Sequence, residues 1–273
     1  RVAGRPESVS ADPTLAPQAC SAPVGKGVRV IYTSRNLSGH EVFAECNPGG
    51  GTQCLCSAQD VRIESFTDRG RVTSNARQRH TYVNAIGYRK FTESFPDDRP
   101  IKLGRYRYTG QFRLPSRPHP VLIQMENPQA VHLMIQFWDG RNALHLGNKR
   151  TLEGTVYWQL NPWESDYGRI KAYSEPLELI DTGIALAPDT EWHSFELAVD
   201  LTARTYLYIA IDGERVDLSD VHLAEVYHPE WGDDVSLTIT TESLATWPQY
   251  KCTHVFSWTT EFRNLSFGSL PAR

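Results

Sequence analysis

Methionine is scarce in this chain, and long apolar runs are missing. Only 2 of the 273 residues are Met, whereas Tyr (12), Phe (10) and Trp (7) are plentiful, so rigid aromatic rings supply much of the bulk of a core. No apolar stretch approaches the about 20 residues of a membrane-spanning helix. A formal net charge of -4 lacks the broad cationic surface that general nucleic-acid binding needs. Neither membrane insertion nor a nucleic-acid partner is therefore expected.

The motifs of several enzyme classes are lacking as well. The sequence contains no H-E-x-x-H zinc motif, no P-loop, no Gly-x-Gly-x-x-Gly and no nucleophile elbow. It also shows no repeat with a period of about 33 to 45 residues, which excludes propellers and solenoids. Zinc proteases, nucleotide-binding folds and serine hydrolases therefore find no support.

Cysteine is limited to five residues, which are Cys20, Cys46, Cys54, Cys56 and Cys252. No paired Cys-x-x-Cys is present, and Cys-x-Cys is an awkward arrangement for tetrahedral zinc. Disulfides are therefore favoured over a metal site, and two bridges with one leftover thiol are the simplest arrangement, although the connectivity stays open. Together with Asn-x-Ser sequons at Asn36 and Asn264, this favours a secreted, periplasmic or cell-surface protein.

The chain divides into an irregular beginning and a long series of short strands. Residues 1–27 are rich in Pro, Ala, Ser and Gly without periodicity, which predicts an extended arm. Residues 28–273 show no break in composition and predict one domain, with a single short helix near Ser219–Val226. So many strands with so little helix indicate an all-β fold, a two-sheet antiparallel β-sandwich or jelly roll.

The clearest pattern lies in residues 121–146, which predict three consecutive strands, Val121–Glu126, Val131–Asp139 and Ala143–Leu146. In the middle strand the apolar residues Val131, Leu133, Ile135 and Phe137 alternate with His132, Met134, Gln136 and Trp138. A solvated sheet face usually carries Lys, Glu and Thr. His, Gln and Trp are residue types that commonly bind sugars, so the second face predicts carbohydrate binding.

Segment Trp192–Leu218 resembles the paired strands of concanavalin A-like (laminin G-like) jelly rolls. In those proteins a Trp-His pair opens a strand, and an Asp-Gly hairpin follows, here Asp212-Gly213. Phe262–Phe267 resembles the closing strand and Tyr108–Phe112 the opening one, so the resemblance covers about residues 104–268. It implies a sandwich whose concave sheet binds carbohydrate. Because the superfamily includes lectins, glycoside hydrolases and polysaccharide lyases, the fold leaves the reaction open.

The faces assigned from alternation place polar and aromatic residues in one expected groove. The expected substrate-binding residues are Gln111, Arg113, Glu126, Gln136, Trp138, His145, Trp158, Arg169, Lys171, Tyr173 and Tyr206. Fixed cations on an acidic protein suit the carboxylates of a uronate polymer. The expected partner is therefore a polysaccharide, and an anionic one.

A uronate lyase must neutralise the substrate carboxylate, remove the C5 proton and protonate the leaving oxygen. We expect Arg107 and Gln124 to neutralise the substrate carboxylate. His132 is expected to act as the base and Tyr208 as the acid, with Tyr206 as the substitute for Tyr208. The motifs of jelly-roll alginate lyases are not reproduced. Gln124-Met125-Glu126 stands where those enzymes carry Gln-Ile/Val-His, and their Arg-Ser/Thr-Glu-Leu strand does not occur.

Two other functions stay open. A hydrolase needs two opposed carboxylates about 5–10 Å apart, which Glu126 with Glu153 or Glu164 could provide. A non-catalytic glycan-binding module explains the fold and the aromatics without a catalytic geometry. Each residue singled out also has a plain structural alternative, such as packing of His132, Trp138 or Trp158 in a core.

No cofactor is required by any of these functions. A structural Ca²⁺ is considered for loop acids, which are Asp181, Asp189, Asp233 and Asp234, but their spacing specifies no site. The oligomeric state is not predicted.

Overall fold

The described residues form two antiparallel sheets of eight strands each. This computed structural model describes residues 27–48, 60–77, 80–92, 101–118, 128–147, 149–162, 164–175, 178–245 and 255–272. The first sheet contains β1 (Arg29–Ser34), β3 (Val61–Ser65), β4 (Gly70–Arg77), β6 (Arg105–Arg113), β11 (His193–Asp200), β12 (Thr205–Ile211), β13 (Glu214–Asp217) and β16 (Val255–Ser269). The second contains β2 (Glu41–Pro48), β5 (His80–Thr92), β7 (Pro128–Asp139), β8 (Arg150–Gln159), β9 (Arg169–Ser174), β10 (Glu178–Ala185), β14 (Ala224–Tyr227) and β15 (Val235–Ala245).

The chain passes back and forth between the two sheets. The first sheet has the order β13-β12-β11-β6-β16-β4-β3 with β1 beside β16, and the second has the order β10-β9-β8-β7-β15-β5-β2 with β14 beside β8. After β6 the chain forms four strands of the second sheet, and β11 to β13 then return to the first. The expected all-β fold, a two-sheet antiparallel sandwich of the jelly-roll type, is confirmed. None of the described segments forms a helix long and apolar enough to cross a membrane.

Alternation within the strands builds the core between the sheets. Every second residue of β6 is buried, as the sequence pattern predicts. Three aromatic rings then stack across the sandwich, because Phe267 lies between Tyr106 and Phe91 with ring centroids 5.6 and 5.5 Å apart. Tyr106 and Phe267 belong to the first sheet and Phe91 to the second, so the abundant aromatics hold the two sheets together.

One predicted strand near the site is wrong. Residues 143–146 form turns, because the buried carboxylate of Asp139 accepts hydrogen bonds from the backbone N–H groups of Ala143 (2.7 Å) and Leu144 (3.0 Å). His145 adopts a left-handed φ of 65° in this turn. The dipeptide Asp139-Gly140 also predicts a tight hairpin turn. This prediction is wrong, because ten residues connect β7 to β8.

Other local predictions have mixed outcomes. The Asp212-Gly213 hairpin is confirmed, since both residues have positive φ (49° and 86°) and join β12 to β13. The short helix predicted over Ser219–Val226 is wrong, because its last residues belong to β14, which pairs with β8. The predicted strand Val121–Glu126 and residues 1–26 of the predicted arm lie outside the described residues.

Candidate functional site

One face of the second sheet carries a group of buried polar side chains. On β7 the apolar residues face the first sheet, as predicted, so the alternate set points to the outer face, the side away from the first sheet. On that side His132 lies opposite Glu242 of β15 and Tyr157 of β8. All three are nearly inaccessible to solvent, with exposures of 5%, 3% and 4%. Buried polar groups of this kind need partners or a function.

Glu242 is the centre of this group. Its Oε2 accepts hydrogen bonds from His132 Nδ1 (3.1 Å) and Asn84 Nδ2 (2.7 Å), and its Oε1 accepts one from Thr240 Oγ1 (2.7 Å). Burial alone would raise the pKa of Glu242, but these hydrogen bonds and the charge of His132 outweigh burial and lower it. Glu242 is therefore an ionised carboxylate that fixes its neighbours.

The tautomer of a neutral His132 follows from its partner. An ionised carboxylate only accepts hydrogen bonds, so Nδ1 of His132 must donate to Glu242. In the neutral imidazole the other nitrogen, Nε2, then keeps its lone pair. Nε2 is buried and has no hydrogen-bond partner among the described residues. The dyad thus fixes the orientation of a buried nitrogen that is basic when the imidazole is neutral.

Two tyrosines border His132. The ring of Tyr157 lies 4.6 Å from the imidazole, and that of Tyr173 lies 6.1 Å away and edge-on. Burial raises the pKa of Tyr157 to about 12, with smaller contributions from Asp166 and Glu164. Burial also raises the pKa of Tyr173, and Tyr157 and nearby carboxylates add to the increase. Both phenols therefore stay protonated at neutral pH and can only donate protons.

A second carboxyl group occupies the same face. Glu153 on β8 lies opposite Gln136 of β7, and its Oε1 accepts hydrogen bonds from Gln136 Nε2 (3.0 Å) and Thr151 Oγ1 (3.1 Å). Burial nevertheless dominates and raises the pKa of Glu153 to about 7. One face therefore holds an ionised carboxylate, Glu242, and a carboxyl group that is half protonated near neutral pH.

The charges on this outer face lie on several strands. Glu45 on β2 adds to the raised pKa of Tyr173 on β9, after burial, Tyr157, Glu242 and Glu153. The outer face of the second sheet between β2 and β9 is called the groove below.

Several residues predicted for the groove do lie on its face. Gln136 points outward and binds Glu153, while Trp138 is buried to 3% exposure under the loop that follows β14. Tyr173 lies beside His132. Arg169 and Lys171 also point outward, but Arg169 pairs with Asp181 (3.1 Å) and Lys171 pairs with Asp166. These two cations are therefore already neutralised.

Four other predicted residues lie on the opposite side of the molecule. They are Arg107, Gln111, Arg113 and Tyr208, all on the outer face of the first sheet. Arg107 Nη1 and Tyr208 Oη both meet Glu196 Oε2, at 3.6 and 3.0 Å. Arg113 binds the buried Glu261 (2.7 Å). The expectation that Arg107 and Tyr208 share a groove with His132 is wrong, because β6 and β12 belong to the other sheet.

Trp158 and Tyr206 lie in the core between the sheets, so their placement in the groove is also wrong. Trp158 is 1% exposed and Tyr206 is 0% exposed. In β12 the register shifts by one residue at Leu207, since Val199 pairs with Tyr206 but Ala198 pairs with Tyr208. This bulge turns Tyr206 inward and Tyr208 outward, although both were assigned to one face.

Replacing Tyr206 with phenylalanine should therefore affect stability and spare the groove. Tyr206 Oη donates to the carbonyl of Tyr173 (2.7 Å) and accepts from the N–H of Thr155 (2.9 Å). Leaving both buried backbone groups unpaired is expected to cost about 1–3 kcal/mol. Urea unfolding measures this loss, and the activity per folded molecule should stay within twofold of wild type. A large loss of activity in fully folded protein would return Tyr206 to the mechanism.

The remaining predicted residues do not reach the groove or are not described. His145 is exposed in the turn after β7, where its carbonyl accepts a hydrogen bond from Arg204 (3.3 Å). Gln124 and Glu126 lie outside the described residues. The side chains of the five cysteines are likewise not described, which applies to Cys20, Cys46, Cys54, Cys56 and Cys252.

The most important residues that the sequence did not single out are Glu242, Asn84 and Thr240. The sequence pattern predicts a strand over Ser236–Thr241, which ends one residue before Glu242. A carboxylate inside an otherwise Thr- and Ser-rich strand, in register with a histidine, was the available signal. The pairing itself joins residues 110 positions apart and could not be read locally.

The loop acids considered for Ca²⁺ are occupied by protein groups. Asp181 binds Arg169, Asp189 binds His193 (3.0 Å), Asp233 binds Lys149 and Asp234 binds Lys90 (2.6 Å). Within the described ranges no three His, Cys, Asp or Glu side chains come together to hold a metal ion. These four acids therefore do not form a common site.

No protein-family model matches the chain, and a comparison with curated protein sequences found no match. Similar solved structures include an endo-beta-1,4-glucuronan lyase from the fungus Trichoderma reesei, with 12% identity and a TM-score of 0.49 over 88% of this chain and 96% of that one. The Emp47p carbohydrate recognition domain has 10% identity and a TM-score of 0.44 over 90% and 99%. A sialidase has 11% identity and a TM-score of 0.39 over 77% of this chain but only 17% of the sialidase. Values this low do not identify a reaction, so function rests on the side chains of the site.

Proposed function

We propose that this protein is a polysaccharide lyase, which binds a uronate-containing polymer in the groove and cleaves it by β-elimination. The observation that carries the proposal is the His132–Glu242 dyad, with Nδ1 held by the carboxylate and Nε2 buried without a hydrogen-bond partner in the described part of the chain. A buried polar atom left unpaired costs about 1–3 kcal/mol, so it is retained where it serves a ligand or a reaction. A fixed imidazole lone pair is what a general base requires.

The described side chains can supply each proton transfer. Nε2 of His132 takes the C5 proton of the uronate, and the electron pair of that C–H bond forms a C4=C5 double bond as the C4–O bond breaks. Tyr173, whose ring lies beside His132, donates a proton to the leaving oxygen, since a phenol is protonated at neutral pH. His132 gains one proton and Tyr173 loses one, so the step balances. Tyr173 thus takes the role that the sequence gave to Tyr208.

The substrate carboxylate must also be neutralised before its C5 proton can leave. Arg107 and Arg113 lie on the other sheet, so the described groove offers neutral donors instead. Beside the dyad this is the amide of Asn84, and about 13 Å further along β7 lie the amide of Gln136 and the protonated carboxyl group of Glu153, which suit the carboxylate of a neighbouring sugar. A protonated Glu153 can donate a strong hydrogen bond to a carboxylate, whereas an ionised Glu153 would repel it.

A glycoside hydrolase is the second candidate, and one observation favours it. The pKa of Glu153 is raised and that of Glu242 is lowered, which is how an acid and a base are divided between two carboxyl groups. However, both oxygens of Glu242 are occupied by hydrogen bonds from His132, Asn84 and Thr240. A carboxylate held in this way is poorly placed to attack a sugar or to activate water. The dyad therefore favours the lyase.

Incubation with alginate, glucuronan and glycosaminoglycans separates the candidate functions. Lyase action raises the ultraviolet absorbance as unsaturated uronate ends form, and reducing ends rise in parallel. Reducing ends without an increase in absorbance would support the hydrolase. Retardation in a gel that contains the polymer, with neither product, would support a binding module and contradict the lyase.

A further inference from the structure

We infer that His228 and Trp231, supported from below by Trp138, form a sugar-stacking subsite at one end of the groove. The inference rests on the proposed function, because the ligand is a sugar ring of the same polysaccharide chain. It adds two residues, His228 and Trp231, that lie outside the catalytic group. They come from the loop after β14 and were not singled out by the sequence pattern.

The rings form an aromatic stack. His228 lies parallel to Trp231 and covers one face of it, with centroids 4.0 Å apart and planes within 4° of each other. The ring of Trp138 lies 5.1 Å from Trp231 at an angle of 58°. Trp138 is 3% exposed and Trp231 is 37% exposed, so the first supports the second from inside. The exposed part of Trp231 and the outer face of His228 are left for the C–H face of a pyranose, which packs well against aromatic rings.

The exposed ring is also held in place by its own loop. Lys149 Nζ donates to the carbonyls of Trp231 (2.6 Å) and Gly232 (2.9 Å), and Trp138 Nε1 donates to Gly232 O (3.2 Å). The N–H of His228 donates to the carbonyl of Lys149 (2.8 Å), and that of Trp231 donates to His228 O (3.2 Å). A large apolar side chain fixed in an exposed position loses little entropy when a ligand covers it.

The surface borders the same groove as the dyad. Trp138 lies six residues along β7 from His132 on the same face, which is about 20 Å away. Trp231 packs against Trp138, and His228 packs against Trp231, so both rings lie over the end of β7 on this face. A polysaccharide bound at His132 reaches Trp231 only if it extends several sugar units towards Trp138.

The length dependence of binding tests this subsite. Trp231→Ala is expected to weaken binding of the polymer or of long oligosaccharides about tenfold, which is the effect of losing one well-packed aromatic contact. Binding of the shortest oligosaccharides that still bind should change less than twofold. Trp231→Tyr should restore most of the affinity for long chains. The measurement is titration calorimetry with size-fractionated oligosaccharides, in a His132→Ala background so that no ligand is consumed.

Tyr227→Ala is the matched control. Tyr227 is 58% exposed and lies only four residues from Trp231. It pairs with Arg150, the neighbour of the outward-facing Thr151. Because adjacent residues of a strand point to opposite faces, the ring of Tyr227 lies on the other side of the sheet. Its removal should leave the affinity for all chain lengths unchanged.

The outcomes separate this inference from the proposed function. If the wild type cleaves or binds the polymer and Trp231→Ala matches it at every chain length, the subsite is wrong and the lyase stands. If the wild type binds without cleaving and Trp231→Ala loses affinity for long chains only, the subsite stands and β-elimination is wrong. If the wild type binds none of the polymers, the aromatic surface is not a saccharide site.

Discussion

Replacing His132 with alanine is expected to lower the rate of polymer cleavage by at least about 10³-fold, within the range that positioned acid–base groups contribute. The imidazole combines an unpaired basic nitrogen with a fixed orientation, since Nδ1 is bound to Glu242 at 3.1 Å. Its loss removes the base and leaves the binding surface of the groove. Initial rates of unsaturated-end formation measure the effect, and KM should change little.

Folding must be separated from catalysis in this variant. Glu242 loses one of its three hydrogen-bond donors, so the free energy of unfolding of His132→Ala is expected to fall by about 1–3 kcal/mol. The variant should therefore unfold at a lower urea concentration. Added imidazole should restore part of the rate if the side chain acts as a base, whereas a purely structural histidine would not respond. Full activity in folded His132→Ala protein would remove the dyad from the mechanism.

Glu242→Gln tests the positioning role of the carboxylate. The amide keeps the shape of the side chain but can present an N–H to the imidazole, which would favour the tautomer with its proton on Nε2. The expected loss of rate is about 10²-fold or more, as in other base–carboxylate pairs. Glu196→Gln on the opposite face, where Glu196 binds Arg107 and Tyr208, is the control and should leave the rate unchanged.

The sequence predicted the two faces of single strands well. In β6 the buried residues alternate as read from the pattern, and in β7 the predicted apolar set faces the first sheet although both faces of that strand are largely buried. The same reasoning could not say which sheet a strand joins. Arg107 on β6 and His132 on β7 both point away from the core, but on opposite sides of the sandwich, since the chain crosses between the sheets after β6.

Local irregularities limited the prediction in a second way. One unpaired residue, Leu207, reverses the faces on either side of it, so Tyr206 enters the core and Tyr208 leaves it. Asp139 has a similar effect, because its buried carboxylate binds backbone N–H groups of the following loop and converts a predicted strand into a turn. Neither feature leaves a periodic signal.

The charge of the groove was the least predictable property. Arginine and lysine were expected there because the fold resemblance and the residue types suited a uronate. In the structure Arg169 and Lys171 are paired with acids, and the described groove contains Glu45, Glu153 and Glu242. The pairing of side chains distant in the chain decides whether a cation is free, and strand periodicity carries no information about it.

Glu153→Gln is expected to raise the stability of the protein at pH 8 by about 3 kcal/mol and to change it little at pH 4.5. Burial raises the pKa of Glu153 to about 7 in the folded state, compared with 4.5 for an exposed Glu. Below pH 4.5 both the folded and the unfolded state are protonated. As the pH rises towards 7 the unfolded state releases its proton first, so the folded state loses stability over this window, by about 3 kcal/mol in total. Glutamine stays neutral throughout and keeps an oxygen that accepts from Gln136 and Thr151.

The same substitution tests how the groove recognises its substrate. In the wild type, affinity for an acidic polymer should fall as the pH rises through about 7, because the ionised Glu153 repels the substrate carboxylate. In Glu153→Gln the amide still donates, so the affinity should stay level between pH 6 and pH 8. Urea unfolding and calorimetric titration at several pH values measure the two effects. A variant whose stability gain is equal at pH 4.5 and pH 8 would mean that Glu153 is ionised in the folded protein across this range. The proposal that a protonated Glu153 donates a hydrogen bond to the uronate carboxylate would then be wrong, because no protonated carboxyl group would be left in the groove to do so.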